Sequence, residues 1–234
     1  MTRNCYVHSG DLGDVIAALP VMRSLGEGDL VVTEPSAAKQ VRESLKGSRF
    51  MAIKPLLESL PYLHSVRWSD KTPSEMTHDF RGFRIAPEYG ESLLDWQARY
   101  LGVKPCTDPW LNAFRSPLSI GRNVIARSSR YQNPGFPWHA VLQKWRNPLF
   151  VGTEDEHNEF CRVFGRVEYA PTKNLLELAE IINGANLFVG NQSCPFWIAA
   201  GLGVPLIQET FPQSPNSMVR RPNARYLMRG PFTL

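Results

Sequence analysis

Short apolar runs alternate with amphipathic stretches along this chain, the pattern of strands and helices taking turns in an α/β fold. NCYVHSG (4–10) has the apolar and β-branched content of a strand, and Gly10 with Gly13 then permits a tight strand-to-helix turn. DVIAALPVMRSL (14–25) spaces Val15, Ile16, Leu19, Met22 and Leu25 as one face of a helix, with Pro20 inside it as an anomaly that removes a backbone bond or marks a kink. DLVVTE (29–34) predicts a second strand, and PSAAKQVRESLKG (35–47) a second helix that Gly47 stops. Residues 50–115 are less regular. MAIKPLLESL and LHSVRW read as short elements, HDFRG as a strand end, and ESLLDWQARYLG (91–102) as a helix with a glycine stop.

A second alternation begins after the turn-rich DPWLNAFRSP. It predicts strands in 119–128, 148–152, 167–170, 187–190 and 204–208, and helices over 138–145, 154–165, 174–185 and 194–203. The restart predicts two Rossmann-like α/β domains facing across a cleft, residues 1–115 and 116–211. A Pro- and Arg-rich tail, 212–234, is expected to cross back onto the first domain.

The length of 234 residues, with 43% hydrophobic and 21% charged, is ordinary globular usage and excludes wholesale disorder, collagen-like repeats and a simple coiled coil. Neither a signal peptide nor an apolar run long enough to span a membrane is readable, so a soluble cytoplasmic protein is expected, in the host cytoplasm if the chain is viral. Cys5, Cys106, Cys161 and Cys194 are too scattered for a zinc site or a disulfide scaffold, His139 has no metal-ligand companions, and no metal is indicated.

The net charge of +4 resides entirely in the second half, where 12 bases face 8 acids against 14 and 14 in residues 1–115. Residues 109–153 and 210–234 hold no acid at all. Either stretch is a solvated basic face, or its cations converge on phosphate or nucleic acid; for the second, Arg220, Arg221, Arg225 and Arg229 are the candidate nucleic-acid contacts.

Candidate chemistry lies at two strand-to-helix turns. In SGDLGDV, Gly10, Asp11 and Gly13 open a helix whose free amides suit an anion or one polar group of a substrate. The dinucleotide fingerprint is absent, since GDLGDV lacks a third glycine at the required spacing. Asp11 reads as a cap. Asp14 is either a first-turn acid that stabilises the helix dipole or a general base facing the cleft. In NQSCPFWIAAGLGVP (191–205), the amides near Gln192, Ser193 and Cys194 can hold a diphosphate, and such a turn is expected to lower the Cys194 pKa. Ser193 alternatively only caps its helix. Arg127 and Arg130 follow a predicted parallel strand at its carboxyl end, where α/β folds bind ligands, and Lys144 completes the cationic set. Glu180 is a candidate ribose acceptor, and Trp138, Trp145 and Trp197 either stack on a base or pack in the core.

GDLGDVIAALPVMRSLG (10–26) and NLLELAEIINGANLFVGNQSCPFWIAAGLGVP (174–205) resemble the amino-terminal loop and the donor block of the ADP-heptose:lipopolysaccharide heptosyltransferases, with VGTEDE (151–156) in the place of their Gly-rich link. The resemblance implies a glycosyltransferase-B fold, Asp14 as catalytic base, a diphosphate on Gln192, Ser193 and Cys194, and a nucleotide-diphosphate sugar as donor with no separate cofactor. On that reading residues 1–115, with Gly10, Asp11 and Gly13, form the acceptor side and 116–211 the donor side, no metal is required, and the one readable well-placed carboxylate favours an inverting transfer to an acceptor hydroxyl. The chain departs from the family by carrying Gln192, Cys194 and Trp197 for its usual Asp, Gly and His, and Ala17 for a common His. It is also shorter, which opens acceptors other than a surface glycan, including a modified base in viral DNA. The alternative is a non-catalytic protein that binds nucleotide sugars or nucleic acid.

Overall fold

The computed structural model describes residues 3–34, 45–85, 87–219 and 221–228. The first half runs β1 (Asn4–His8), α1 (Leu12–Leu25), β2 (Gly28–Thr33), α2 (Ser48–Glu58), β3 (Leu63–Ser69), β4 (His78–Asp79) and α3 (Leu93–Leu101). Its sheet has the order β3-β2-β1-β4 with every neighbouring pair parallel. The second half runs β5 (Asn123–Ala126), α4 (Trp138–Lys144), β6 (Leu149–Phe150), α5 (Glu154–Phe164), β7 (Glu168–Tyr169), α6 (Leu175–Gly184), β8 (Leu187–Asn191), α7 (Cys194–Leu202), β9 (Leu206–Glu209) and β10 (Ala224–Leu227). These strands form a second parallel sheet, β10-β9-β8-β5-β6-β7. Two parallel sheets, each flanked by helices, make the two-domain α/β architecture that the alternating pattern predicts.

Parallel strands are covered on both faces, which is why Cys5–His8 and Leu30–Thr33 are buried without a break. Helix α1 is buried all the way from Asp14 to Met22 because it packs on α3 and α7 as well as on its own strand. Fully buried Val15, Ile16 and Leu19 each contribute roughly 1.5–3 kcal/mol by leaving water. Pro20 stays inside α1, and its carbonyl accepts the Cys106 N–H at 3.1 Å, tying the returning chain to the helix. Helices α1 and α7 pack together, as do α2 and α6, so one apolar core runs through both halves.

Most of the predicted helix 35–47 lies outside the described residues, and Gly47, at φ 56°, precedes α2 instead of ending a helix. That helix takes up MAIKPLLE, which the irregular composition left as a short element, and it tolerates Pro55 in its last turn. The described part of the tail touches the first half and then rejoins the second. Pro212 O accepts from the Tyr89 hydroxyl at 2.9 Å and Asn216 O from the Leu93 N–H at 2.7 Å, after which the chain returns to the second sheet and adds β10 beside β9.

Candidate functional site

Because both sheets are parallel, the carboxyl ends of their strands share one edge each, and these edges face one another across a cavity of about 410 Å³. The first half contributes Asp11, Gly13 and Asp14 after β1, Arg49 on α2, and Arg84 beyond β4. The second contributes Arg130 and Tyr131 after β5, Thr153 after β6, Asn174 after β7, and Gln192 to Pro195 with Trp197 after β8.

Several described helices open onto this space by their N-termini, and side chains satisfy those of α1, α5 and α6. Asp11 accepts the Leu12 N–H at 2.7 Å, and Asp14 Oδ2 accepts the Asp11 N–H at 3.1 Å, a capping box on α1. Thr153 and Glu156 form the same arrangement on α5. Asn174 accepts the Leu176 and Glu177 N–H groups at 2.9 and 3.0 Å on α6. Helices α2 and α7 differ: no side chain caps either, and at α7 the Ser193 hydroxyl donates instead to Asn191 O at 3.2 Å. The first-turn amides and dipole of α7 thus have no side-chain acceptor.

Asp14 lies on the opposite wall. It is buried, and Oδ1 accepts from Arg84 Nη2 at 2.6 Å. A chain of hydrogen bonds fixes its loop: the Gly10 N–H donates to His8 Nδ1 at 2.8 Å, His8 Nε2 meets Gln97 Oε1 at 3.0 Å, and Gln97 Nε2 donates to Asp14 O at 3.0 Å. This assigns the proton of His8 to Nε2. Burial, the largest influence, holds the imidazole below its ordinary pKa, against the opposing pull of Asp14. Gly10 is required by close approach, since a Cβ there would lie 2.5 Å from both Asp14 Cβ and His8 Cε1.

Of the residues singled out from sequence, Asp11, Gly13, Asp14, Arg130, Gln192, Ser193 and Cys194 line the cavity. Asp11 caps α1 and is paired with Arg49, with Arg130 3.6 Å away. The Gln192 amide is engaged by the strap after β9: Nε2 donates to Ser214 O at 2.5 Å and Asn216 Oδ1 at 2.9 Å, and Oε1 accepts the Phe211 N–H at 2.6 Å.

Other residues singled out from the sequence lie elsewhere or behave differently. Arg127 does not line the cavity; it turns back to Glu209, donating from Nε at 2.9 Å and Nη2 at 3.0 Å in a buried pair. Lys144 is exposed at the end of α4, away from the cavity, because the helix carries it outward. Glu180 also lies away from it, on α6 where its carbonyl accepts the Ser116 N–H of the linker. The Cys194 thiol is pushed up, not down: burial dominates, and Asp11 and Glu156 add to it. Of the tail cations, Arg220 and Arg229 lie outside the described residues. Arg221 folds against Gly203 with Nη1 buried and unpartnered, and Arg225 is exposed on β10. Arg84, Arg49 and Thr153 were not anticipated; β4 and β6 are two residues long, too short for periodicity to place the side chains that follow them. Among the described residues, no group of three or more His, Cys, Asp or Glu gathers as a metal site.

No protein-family model matches the chain, and no curated protein does. Solved structures do match its fold. A glycosyl transferase family 9 protein from Veillonella parvula superposes with a TM-score of 0.60 over 97% of this chain and 86% of its own, at 13% identity. The E. coli heptosyltransferase WaaC with ADP gives 0.57 over 98% and 93%, at 16% identity. The dodecameric iron-containing heptosyltransferase TibC, in complex with ADP-D-beta-D-heptose, gives 0.58 over 99% of this chain and 65% of its own, at 16% identity. At such identities the likeness establishes the fold, which is of the glycosyltransferase-B type.

Proposed function

We propose that the chain is a glycosyltransferase that takes a sugar from a nucleotide-diphosphate donor and passes it to an acceptor hydroxyl. One observation carries this reading: Asp14 and the uncapped turn at Ser193–Cys194 line the same cavity from opposite halves. In this scheme the donor diphosphate lies on the amides of α7, with Arg130 meeting the charge that develops as the sugar leaves. Asp14 takes the acceptor proton and Arg84 orients its carboxylate. Asp11 and Glu156 also line the cavity but serve as helix caps, so Asp14 acting alone favours direct displacement with inversion, and no step is routed through a metal.

Residues 1–115 serve the acceptor and 116–211 the donor in this division. A glycan acceptor is preferred over a modified DNA base, because Arg221 faces inward and leaves the basic tail one cation poorer for a nucleic-acid surface. A second reading, a non-catalytic nucleotide-sugar binder, is favoured by the engagement of both Asp14 oxygens, one by Arg84 and one by the Asp11 N–H.

The test offers purified protein a panel of ADP-, UDP- and GDP-sugars with glycan and hydroxymethylated-DNA acceptors, reading binding by calorimetry and transfer by mass spectrometry. Transfer that falls about 100-fold or more in Asp14→Asn is expected of a lost general base. Binding without turnover in any arm selects the binder. Neither binding nor turnover overturns both readings, and DNA affinity that falls steeply with salt in their absence selects a nucleic-acid-binding protein.

A further inference from the structure

The wall between the two halves contains an indole that the transfer scheme does not use. Trp197 is 2% exposed, yet it lines the cavity. Its five-membered ring edge lies beside Gly13, where a Cβ would stand 3.2 Å from Cδ1 and 3.8 Å from Nε1. The other indole nitrogens show what is usual here. Trp138 Nε1 donates to Glu209 at 3.0 Å and Trp96 Nε1 to Glu88 O at 3.3 Å, while those of Trp68 and Trp110 are sealed in protein without a partner. Nε1 of Trp197 neither donates to protein nor is sealed away, so the little surface this residue shows includes its one polar atom.

We infer that Trp197 is a ligand-binding residue whose Nε1–H donates to a phosphate oxygen held at the α7 N-terminus. Two independent features open onto the same cavity: the α7 first turn that no side chain caps, and a nearly buried donor one turn further along that helix. An indole can donate and cannot accept, so this position discriminates for a ligand atom that is an acceptor whatever the pH. The acids nearby do not fill the role of that anion. Asp11 is paired with Arg49, and Glu156 accepts the Thr153 N–H. Gly13 keeps the indole edge accessible, because any side chain there would press on Cδ1.

The inference rests on the nucleotide-diphosphate reading of the cavity, and inorganic pyrophosphate with ADP and UDP tests it without requiring turnover. Trp197→Phe keeps most of the ring and removes the N–H. Loss of a hydrogen bond to a charged acceptor weakens binding by about tenfold or more, and Trp197→His, which restores a ring donor, is expected to recover part of that loss. Where either variant fails to fold, wild-type protein labelled with ¹⁵N-tryptophan decides: an indole N–H signal that moves downfield as pyrophosphate saturates the site supports the inference. Unchanged affinity in a folded Trp197→Phe variant, or indole signals that all stay in place while pyrophosphate binds, overturns it and leaves the transferase reading standing. If pyrophosphate and both nucleotides fail to bind wild-type protein, the inference and the donor reading fall together.

Discussion

Arg127 offers the sharpest test of how side chains are allotted between structure and site. The Glu209 carboxylate is fully buried and accepts four hydrogen bonds: two from Arg127, one from the Asn133 N–H at 2.7 Å and one from Trp138 Nε1 at 3.0 Å. Arg127→Met keeps the unbranched apolar stem of the side chain but leaves Glu209 in low dielectric with two neutral donors. Breaking a buried pair from one side costs about 3–5 kcal/mol. In a chain of this size that lowers the melting temperature by on the order of 10 °C. Adding Glu209→Gln removes the stranded charge, so the double variant is expected to be more stable than Arg127→Met alone, and the double-mutant cycle measures the coupling. Urea unfolding followed by tryptophan fluorescence reports these changes, since Trp138 belongs to the same network. Were Arg127 instead a cation for the donor diphosphate, Arg127→Met would leave the unfolding midpoint in place and weaken nucleotide binding. That outcome would refute the structural assignment.

Two further expectations concern the loop that carries Asp14. Gly10→Ala forces a Cβ to within 2.5 Å of atoms that hydrogen bonds hold in place, an overpacking worth about 1–3 kcal/mol; an unchanged urea midpoint would show that the loop yields freely. Burial depresses the His8 pKa below its ordinary 6.5, so the unfolded chain binds more protons as pH falls through that value. The stability from keeping His8 neutral is therefore full above pH 6.5 and declines below it, and an NMR titration placing His8 protonation at or above 6.5 would contradict this.

The alternation of apolar runs made both sheets legible, because a parallel strand covered on two faces must be apolar along its length. Turn chemistry made the two ends of the site legible for the same reason: glycines and small polar residues stand at Gly10–Gly13 and at Asn191–Ser193 because the chain must reverse from strand to helix there. What stayed hidden depended on strand order. Arg127 ends β5 and Glu209 ends β9, two strands apart with β8 between them, and nothing in the local sequence states that these carboxyl ends are neighbours. The same applies to Arg84, which meets Asp14 only because β4 pairs with β1. Gly47 misled for a different reason, since glycine can stand before a helix as well as after one. The strand in the Arg-rich tail was masked by charge, because β10 lies at the sheet edge, where a strand needs only one apolar side.

Gln192, one of the positions where the sequence departs from the heptosyltransferase pattern it resembles, has a physical task in the fold: its amide accepts from the Phe211 N–H and donates to Ser214 O and Asn216 Oδ1. A carboxylate could make the first bond but would turn a bare negative charge toward two oxygens, so the strap and the glutamine require each other. That strap reaches the first half through Pro212 and Asn216, which makes the turn before α7 sensitive to how the two halves sit. Trp197 lines the same cavity with its indole edge beside Gly13. With the N-termini of α1, α5 and α6 closed by Asp11, Thr153 and Asn174, the first turns of α2 and α7 are the ones on this cavity that no side chain caps among the described residues. Gln192 commits its amide to the strap and so does not close the α7 end, which keeps that turn open to the cavity.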